Sequence, residues 1–508
     1  MLGAMFLSVS RRYRAPREVG VLSDPPESEI AGLIEANRAA LNVNSIHING
    51  TPLIEFRRQA VSEILGVARA YMRECGEPVP DFADGPLLMS GHQPELTHVG
   101  VLVKTFALHG FALRHNLTPL NLIVDNDTVK TTALRLAVLP EGQRTPEGVH
   151  LLSLPYDRYD GEVVFEKRRI LEPALFDSFA ERARPATETW GFEPLLPEMW
   201  AEMRRQRART PILGEIVSAT RRAWERRWGC HNLEIPLSRM CETQAFRRFA
   251  RHVVADLPRF HAIYNECVAA YRTRNHVRSR NHPVPDLVQQ GEVLEAPFWT
   301  MNPGEDRRAR LMTRPGESFD GKSLRSRALT TTMFLRCILS DGFIHGIGGA
   351  KYDEVTDAIL ERWLGLTPPG FIVLTATLRL PLPTFPTTPE NVHDAERAVR
   401  DASWNPQRWL PEFSSRMPEI HQLMEKKEGL INAEPTGKAE RKEWFRQLAG
   451  VTMQLRPFVE QRLVESREKL TDLRREATAN ESLIRRDFAW CLFPEAVLKD
   501  FCQKLLAH

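Results

Sequence analysis

Cysteine is scarce in this sequence, and none of its spacings gives it a structural task. Seven cysteines stand at 75, 230, 241, 267, 337, 491 and 502. Their number is odd and no Cys-x-x-Cys pair occurs, so neither a zinc knuckle nor a disulfide framework is indicated. An excess of one charge is also missing, since 68 Lys and Arg oppose 65 Asp and Glu for a net of +3. No global field therefore demands nucleic acid or an anionic membrane. No apolar stretch reaches the ~18 residues of a membrane span. Residues 1–9 are apolar, but Arg11 and Arg12 follow the run where a secretion signal carries its charge in front. A cytoplasmic protein without a membrane span is the expectation. A full Gly-x-Gly-x-x-Gly is absent too, which weakens a dinucleotide enzyme.

The composition that remains is that of a soluble globular protein, 42% hydrophobic and 26% charged over 508 residues. Single cores stop growing near ~250–300 residues, so two or three domains are expected. The reading divides the chain into N-terminal helices with the first half of an α/β core (1–140), a mainly helical insert (141–295), the second half of the core (296–390) and a C-terminal helical hairpin (391–508).

The stretch 341–357 carries the densest chemistry. Gly346, Gly348 and Gly349 lie between an apolar run and a helical pattern. Glycines can take φ > 0 and let backbone N–H groups approach an anion, at the positive end of the following helix. His345, Lys351, Tyr352 and Asp353 add four proton donors or acceptors. A plain strand-to-helix turn would use the same glycines.

A second candidate site lies upstream. Leu87-Leu88-Met89 reads as a strand that breaks at Gly91-His92-Gln93, a helical pattern runs from Gly100 to Arg114, and 120–124 reads as a strand that breaks at Asp125-Asn126-Asp127. Both breaks fall at the carboxyl ends of strands, where open parallel sheets bind ligands. Asp125 and Asp127 are suited to Mg²⁺ held with a nucleotide, to ligand hydroxyls, or to a simple turn. Lys104 can reach a phosphate or snorkel to water. The strand at 371–378 closes a second strand-helix-strand unit around 346–349. Two such units predict one doubly wound sheet with a helical insert between its halves.

The middle of the chain is rich in arginine. Trp224 and Trp228, spaced four apart, read as one packed helix edge and not as stacking platforms, so nucleic acid is disfavoured. Residues 296–300 and 308–312 read as a hairpin around Asn302-Pro303-Gly304. The tail from 416 to 488 reads as two charged helices broken at 434–437. The second carries Leu448, Leu455, Val459, Leu463, Leu470 and Leu473, a stripe that needs a partner in the protein's body or in a second subunit.

Gly91-His92-Gln93 with Leu96, Gly100 and Lys104 resembles the Gly-Gln-Gln-x-x-Leu, Gly and Lys pattern of the bacillithiol-biosynthesis cysteine-adding enzymes (BshC family). Asp125-Asn126-Asp127 stands where that family has an acidic strand end. Gly346-Ile347-Gly348-Gly349 with Tyr352 resembles its late glycine and tyrosine region. His92 replaces the first glutamine, and the Pro-Gly-Glu of the late region is missing. The resemblance implies a Rossmann-like core, a C-terminal coiled coil used to form a homodimer, and ligation of cysteine to the amino group of an amino-sugar conjugate with nucleotide, ATP or ADP with Mg²⁺, in the core.

From the residues themselves, the expected chemistry is group transfer or ligation on an anionic substrate. The glycines and Lys351 hold a phosphate or carboxylate, Asp125 and Asp127 hold a hydroxyl or metal, and Arg327 supplies a bidentate clamp. His345, His92 and Asp353 are the candidates for proton transfer. Cys337 lies on an apolar helix face, so a cysteine nucleophile is not expected. Two other readings stay open: a sugar- or nucleotide-dependent transferase on the same sheet, and a non-catalytic coiled-coil scaffold.

Overall fold

The residues 87–90 are all buried, although they alternate between the two faces of a strand, and burial on both faces marks the interior of a parallel sheet. The structure, a computed structural model, describes residues 13–42, 45–140, 145–302, 304–410 and 417–506. Residues 1–12 and Pro303 of the expected turn lie outside the described residues.

In chain order the strands of the main sheet are β1 (Gly20–Asp24), β2 (Leu87–His92), β3 (Thr118–Ile123), β4 (Leu233–Pro236), β5 (Gly342–His345) and β6 (Ile372–Thr377). Their spatial order is β1-β6-β5-β2-β3-β4, parallel except for β1, which runs antiparallel along β6. Both strand-helix-strand units therefore share one sheet, and Ile344 of β5 lies beside Ser90 of β2. The fold is mixed α/β.

Three helices sandwich this sheet: α1 (Leu53–Glu74), α2 (Val99–Arg114) and α3 (Ile347–Leu364). The α2 helix is apolar on nearly all sides because it is covered on nearly all sides. It packs with Leu88, Ile344 and Leu374 on one face, while α1 and α3 pack with Leu87, Met89 and Phe343 on the other. The helices that follow the adjacent strands β2 and β5 thus leave towards opposite faces. Such a divergence opens a crevice at the carboxyl ends of the two strands.

The 141–295 stretch is helical over most of its length, but it also supplies β4, so it is not a pure insert. Trp224 and Trp228 are buried. A separate antiparallel sheet is built from Gln289–Gln290, Val293–Met301, Arg308–Thr313 and Ser323–Ser326. Among the described residues no helix is long and apolar enough to cross a membrane.

The tail contains three helices, Pro418–Asn432, Lys438–Leu455 and Glu460–Leu483. Leu455 and Val459 are buried in a small cluster with Ile420 and Val451. Leu463 and Leu470 are buried where the last helix lies along Pro389–Trp404, a helix absent from the sequence reading. The chain's own helices cover much of the leucine stripe. Phe445 and Met453 remain more than half exposed, at 56% and 60%.

Candidate functional site

A cavity of about 630 Å³ occupies the crevice above β2 and β5. Gly91, His92, Gln93 and Lys104 line it from the first unit, with Asn126 and Asp127 from the end of β3. His345, Gly346, Gly348, Gly349 and Tyr352 line it from the second unit, and Arg327 from the segment between. The structure thus brings twelve of the fifteen expected site residues to one place. Asp125, Lys351 and Asp353 are the three that do not line it.

The histidine at the end of β5 is the best-defined group. His345 is buried and its Nε2 lies 2.6 Å from Asp353 Oδ2. Arg336 donates to the same carboxylate oxygen at 2.8 Å. Burial would raise Asp353, but the Arg336 charge, with the interaction of His345, holds its carboxyl well below the usual range. An ionised Asp353 accepts from Nε2–H, which leaves the lone pair of His345 on Nδ1. Among the described residues no hydrogen-bond partner meets Nδ1. Burial depresses the imidazolium of His345, outweighing the opposing attraction of Asp353, so the ring is held neutral near pH 7.

Gly349 makes room for this ring. A Cβ on residue 349 would stand 2.6 Å from His345 Nδ1, below any contact that real Cβ atoms make. Here the structure corrects the expected use of φ > 0. None of the three glycines has positive φ; Gly346 caps α3 with φ −82° and ψ 168°, and Gly348 and Gly349 lie inside the helix. A Cβ at Gly346 or Gly348 would meet no atom within 4 Å, so the space over the helix start is open. The first N–H groups of an α-helix lack intrahelical acceptors and carry its positive partial charge. Lys351 is exposed on the outside of α3 and takes no part in the cavity wall.

On the β2 side, Lys104 is buried and donates to one acceptor, the Gly91 carbonyl at 3.0 Å. Burial pushes its ammonium down to about 8. His92 directs Nδ1 at the Gln93 carbonyl, 3.2 Å away, and burial, then the Lys104 charge, pushes it down to about 3. It is neutral at physiological pH, so of the expected roles of acid or base it has no proton of an imidazolium to give. His98, which sequence reading passed over, caps α2 by accepting the Gly100 N–H on Nδ1 at 3.0 Å and turns its other nitrogen free. Gly100 itself is required by packing, since a Cβ there would come 2.7 Å from the Ala376 carbonyl of β6.

The acidic strand end divides into separate roles. Asp125 accepts the Ser238 N–H at 2.8 Å and the Ser238 hydroxyl, capping the segment after β4. Burial, then Glu166, pushes its carboxyl up to about 7. It is an internal brace, not a ligand group at the cavity. Asn126 donates to the Ser326 carbonyl at 2.7 Å. Asp127 accepts from Gln93 at 2.9 Å, from the Thr128 N–H at 2.9 Å and from Arg308 at 3.1 Å. Burial alone would raise Asp127, but the Gln93 hydrogen bond and the Arg308 charge keep it below its usual range. With both carboxylates so engaged, they do not fit direct coordination of Mg²⁺. Among the described residues no group of three or more His, Cys, Asp or Glu side chains is placed to hold a metal ion.

The far wall comes from the second sheet. Trp299 is clasped between two guanidinium groups, Arg327 at 3.8 Å and Arg308 at 4.8 Å from its ring centroid. Arg327 also donates to buried Glu295 at 2.6 Å, so its charge is compensated before any ligand arrives. The sequence reading gives a hairpin here and assigns it no site residue. Its alternation pattern does not reveal that one face closes a cavity.

Among the described residues, cations outnumber anions around the cavity: Lys104, Arg308, Arg327 and Arg486 line it against Asp127. A scan against protein-family models finds no match for this chain, and no curated protein matches it.

Proposed function

We propose that this protein is a ligase-type enzyme that forms a carbon–nitrogen bond between a small acid, cysteine or a close analogue, and the amino group of an amino-sugar conjugate. The observation that carries this reading is one cavity at the sheet's carboxyl edge, holding a buried lysine and a histidine that, among the described residues, have no counter-ion on the ammonium and no partner on Nδ1. Lys104 and the start of α3 bind the carboxylate or phosphate of the acid component. A buried ammonium with one neutral acceptor gains most from an anion brought to it.

An amine attacks only when it is deprotonated, and His345 Nδ1 is suited to take that proton. Asp353 holds the ring in the tautomer that leaves Nδ1 basic, and Arg336 keeps Asp353 ionised. Asp127 and Gln93 form a polar pair for sugar hydroxyls. The cations around the cavity also suit the phosphates of a nucleotide; cleavage of a phosphoanhydride of ATP or ADP would activate the acid's carboxylate, and the phosphate-bearing group would leave as the amine adds.

In this reading the sheet and its helices are a Rossmann-like, doubly wound core, and the tail helices with exposed Phe445 and Met453 form a coiled-coil contact of a homodimer. Seven free cysteines fit a reducing cytoplasm.

A thermal-shift panel of nucleotides, cysteine and amino-sugar conjugates, followed by mass analysis of a mixture of the binders, tests the proposal. Stabilisation by an amino-sugar conjugate and appearance of an amide product are expected. Binding of nucleotide or sugar without amide formation would favour a transferase, and no binding at all would leave a scaffold.

A further inference from the structure

Arg486 belongs to no motif, and it follows the last long helix of the tail, Glu460–Leu483. Its side chain nevertheless lines the cavity above β2, β5 and β6. The chain brings it there by pairing with the entrance to α2. Ala489 forms an antiparallel bridge with His98, and the Trp490 N–H donates to the Thr97 carbonyl at 2.9 Å. Phe488, Trp490 and Leu492 are buried in the core beneath, which fixes the segment in place.

Arg486 feels the charge of Asp487 but does not pair with it. Its neighbour Asp487 is occupied by Arg485 at 2.8 Å and by Arg135 at 2.9 Å. Among the described residues Arg486 makes no ion pair and one long hydrogen bond, from Nη2 to Thr375 Oγ1 at 3.5 Å. Its Nη1 is buried with no hydrogen-bond partner among them. A guanidinium nitrogen removed from water and left without an acceptor is costly unless a ligand provides one.

Two further donors line the cavity beside Arg486, and a third faces it. Lys104 is 5% exposed and has one carbonyl acceptor. His98 accepts on Nδ1, so its Nε2 carries the proton and donates. The open start of α3 lies across the same cavity.

We infer that Arg486, with Lys104 and His98, binds the anionic group of the ligand, so that the segment after the tail helices is part of the ligand site. The inference rests on the reading of the cavity as the site of an anionic substrate. A carboxylate and a phosphate meet the same donors, and the two are separated by using acetate and inorganic phosphate as probes.

The test is NMR titration of the full-length protein with each anion at constant ionic strength, for the parent, Arg486→Gln, Arg486→Lys and Lys104→Met. Saturable binding of one anion by the parent is expected, weakened roughly 10- to 100-fold in Arg486→Gln, with Arg486→Lys between the two. Arg486→Gln should unfold no earlier than the parent, because the side chain makes only one long hydrogen bond and the substitution removes a buried nitrogen that lacks an acceptor. If Arg486→Gln binds as tightly as the parent while Lys104→Met does not, the cavity reading stands and the role of Arg486 falls. If the parent binds neither anion, both fall.

Discussion

The ring of His345 fills the place where residue 349 would carry a side chain: a Cβ on Gly349 would stand 2.6 Å from Nδ1. Gly349 lies inside α3 with ordinary backbone angles, so alanine there adds no backbone strain and raises helix propensity by up to ~1 kcal/mol. Gly349→Ala is therefore expected to lose activity by displacing His345, with a change in unfolding free energy of less than about 2 kcal/mol. Gly348→Ala is the companion, since its Cβ meets open space. It should stabilise α3 and leave His345 in place. Equal activity losses in the two variants would show that the ring contact is unimportant.

Asp353→Asn should lower kcat by roughly 10²- to 10⁴-fold if His345 is the base, because the amide no longer enforces the tautomer with its lone pair on Nδ1. In the parent, activity should rise with pH through a midpoint below 6.5, the direction in which burial moves His345. A pH–rate profile with its lower limb above 6.5 would assign the base to another group.

Lys104 is held at a cost to stability. Its pKa falls from 10.5 to about 8 on folding, so the folded state disfavours the charged amine. The penalty is complete below pH 8 and is relieved as pH rises from 8 towards 10.5, where the unfolded chain still binds the proton that the folded chain has released. Lys104→Met should stabilise the protein by about 1–3 kcal/mol at pH 7, and the gain should shrink across that window. Denaturant unfolding at pH 7 and pH 10 measures it. A loss of stability at pH 7 would mean that the ammonium is better satisfied than one carbonyl suggests.

Much of this arrangement could be read from the sequence, and the failures have physical causes. Apolar runs ending at Gly91 and Gly346 marked β2 and β5, because a strand buried on both faces must be apolar throughout and must break where the sheet ends. The helix after Gly346 begins at Ile347 and takes in Gly348 and Gly349, which by themselves suggest a loop, because tertiary packing draws them into α3. Asp125 and Asp127 looked equivalent because residues two apart on a strand point the same way, yet the strand ends at Ile123 and the chain turns at 125–126. One turned to Ser238 and the other to the cavity. Trp299, Arg308 and Arg486 gave no local signal, since their roles arise from contacts between distant segments.

Asp125 gives a second test of pH dependence, with the opposite sign. Its pKa rises from 3.8 to about 7 on folding, so the folded state binds a proton that the unfolded state has lost between these values. Stability attributable to this group is therefore present below pH ~4 and declines as pH rises towards 7. Asp125→Asn should gain on the parent across that interval by about 2–4 kcal/mol. A constant stability difference from pH 4 to 7 would mean that Asp125 is ionised throughout, held by Ser238.

The tail makes a separate prediction. If the face bearing Phe445 and Met453 joins two subunits, the double variant Phe445→Glu, Met453→Glu should halve the mass found by light scattering without lowering the unfolding temperature of the core. An unchanged mass would place the contact elsewhere or show that the protein is a monomer.

The central claim is that the cavity between β2 and β5 binds an anionic small molecule through Lys104, and calorimetric titration of the strongest binder from the thermal-shift panel tests it most directly. A ligand at 100 times its dissociation constant should stabilise the parent by about 2.7 kcal/mol, which makes that binder easy to find. At pH 7, Lys104→Met should bind it roughly 10- to 100-fold more weakly than the parent, the loss of one charge-assisted hydrogen bond. Equal affinity in the parent and in Lys104→Met would contradict the claim.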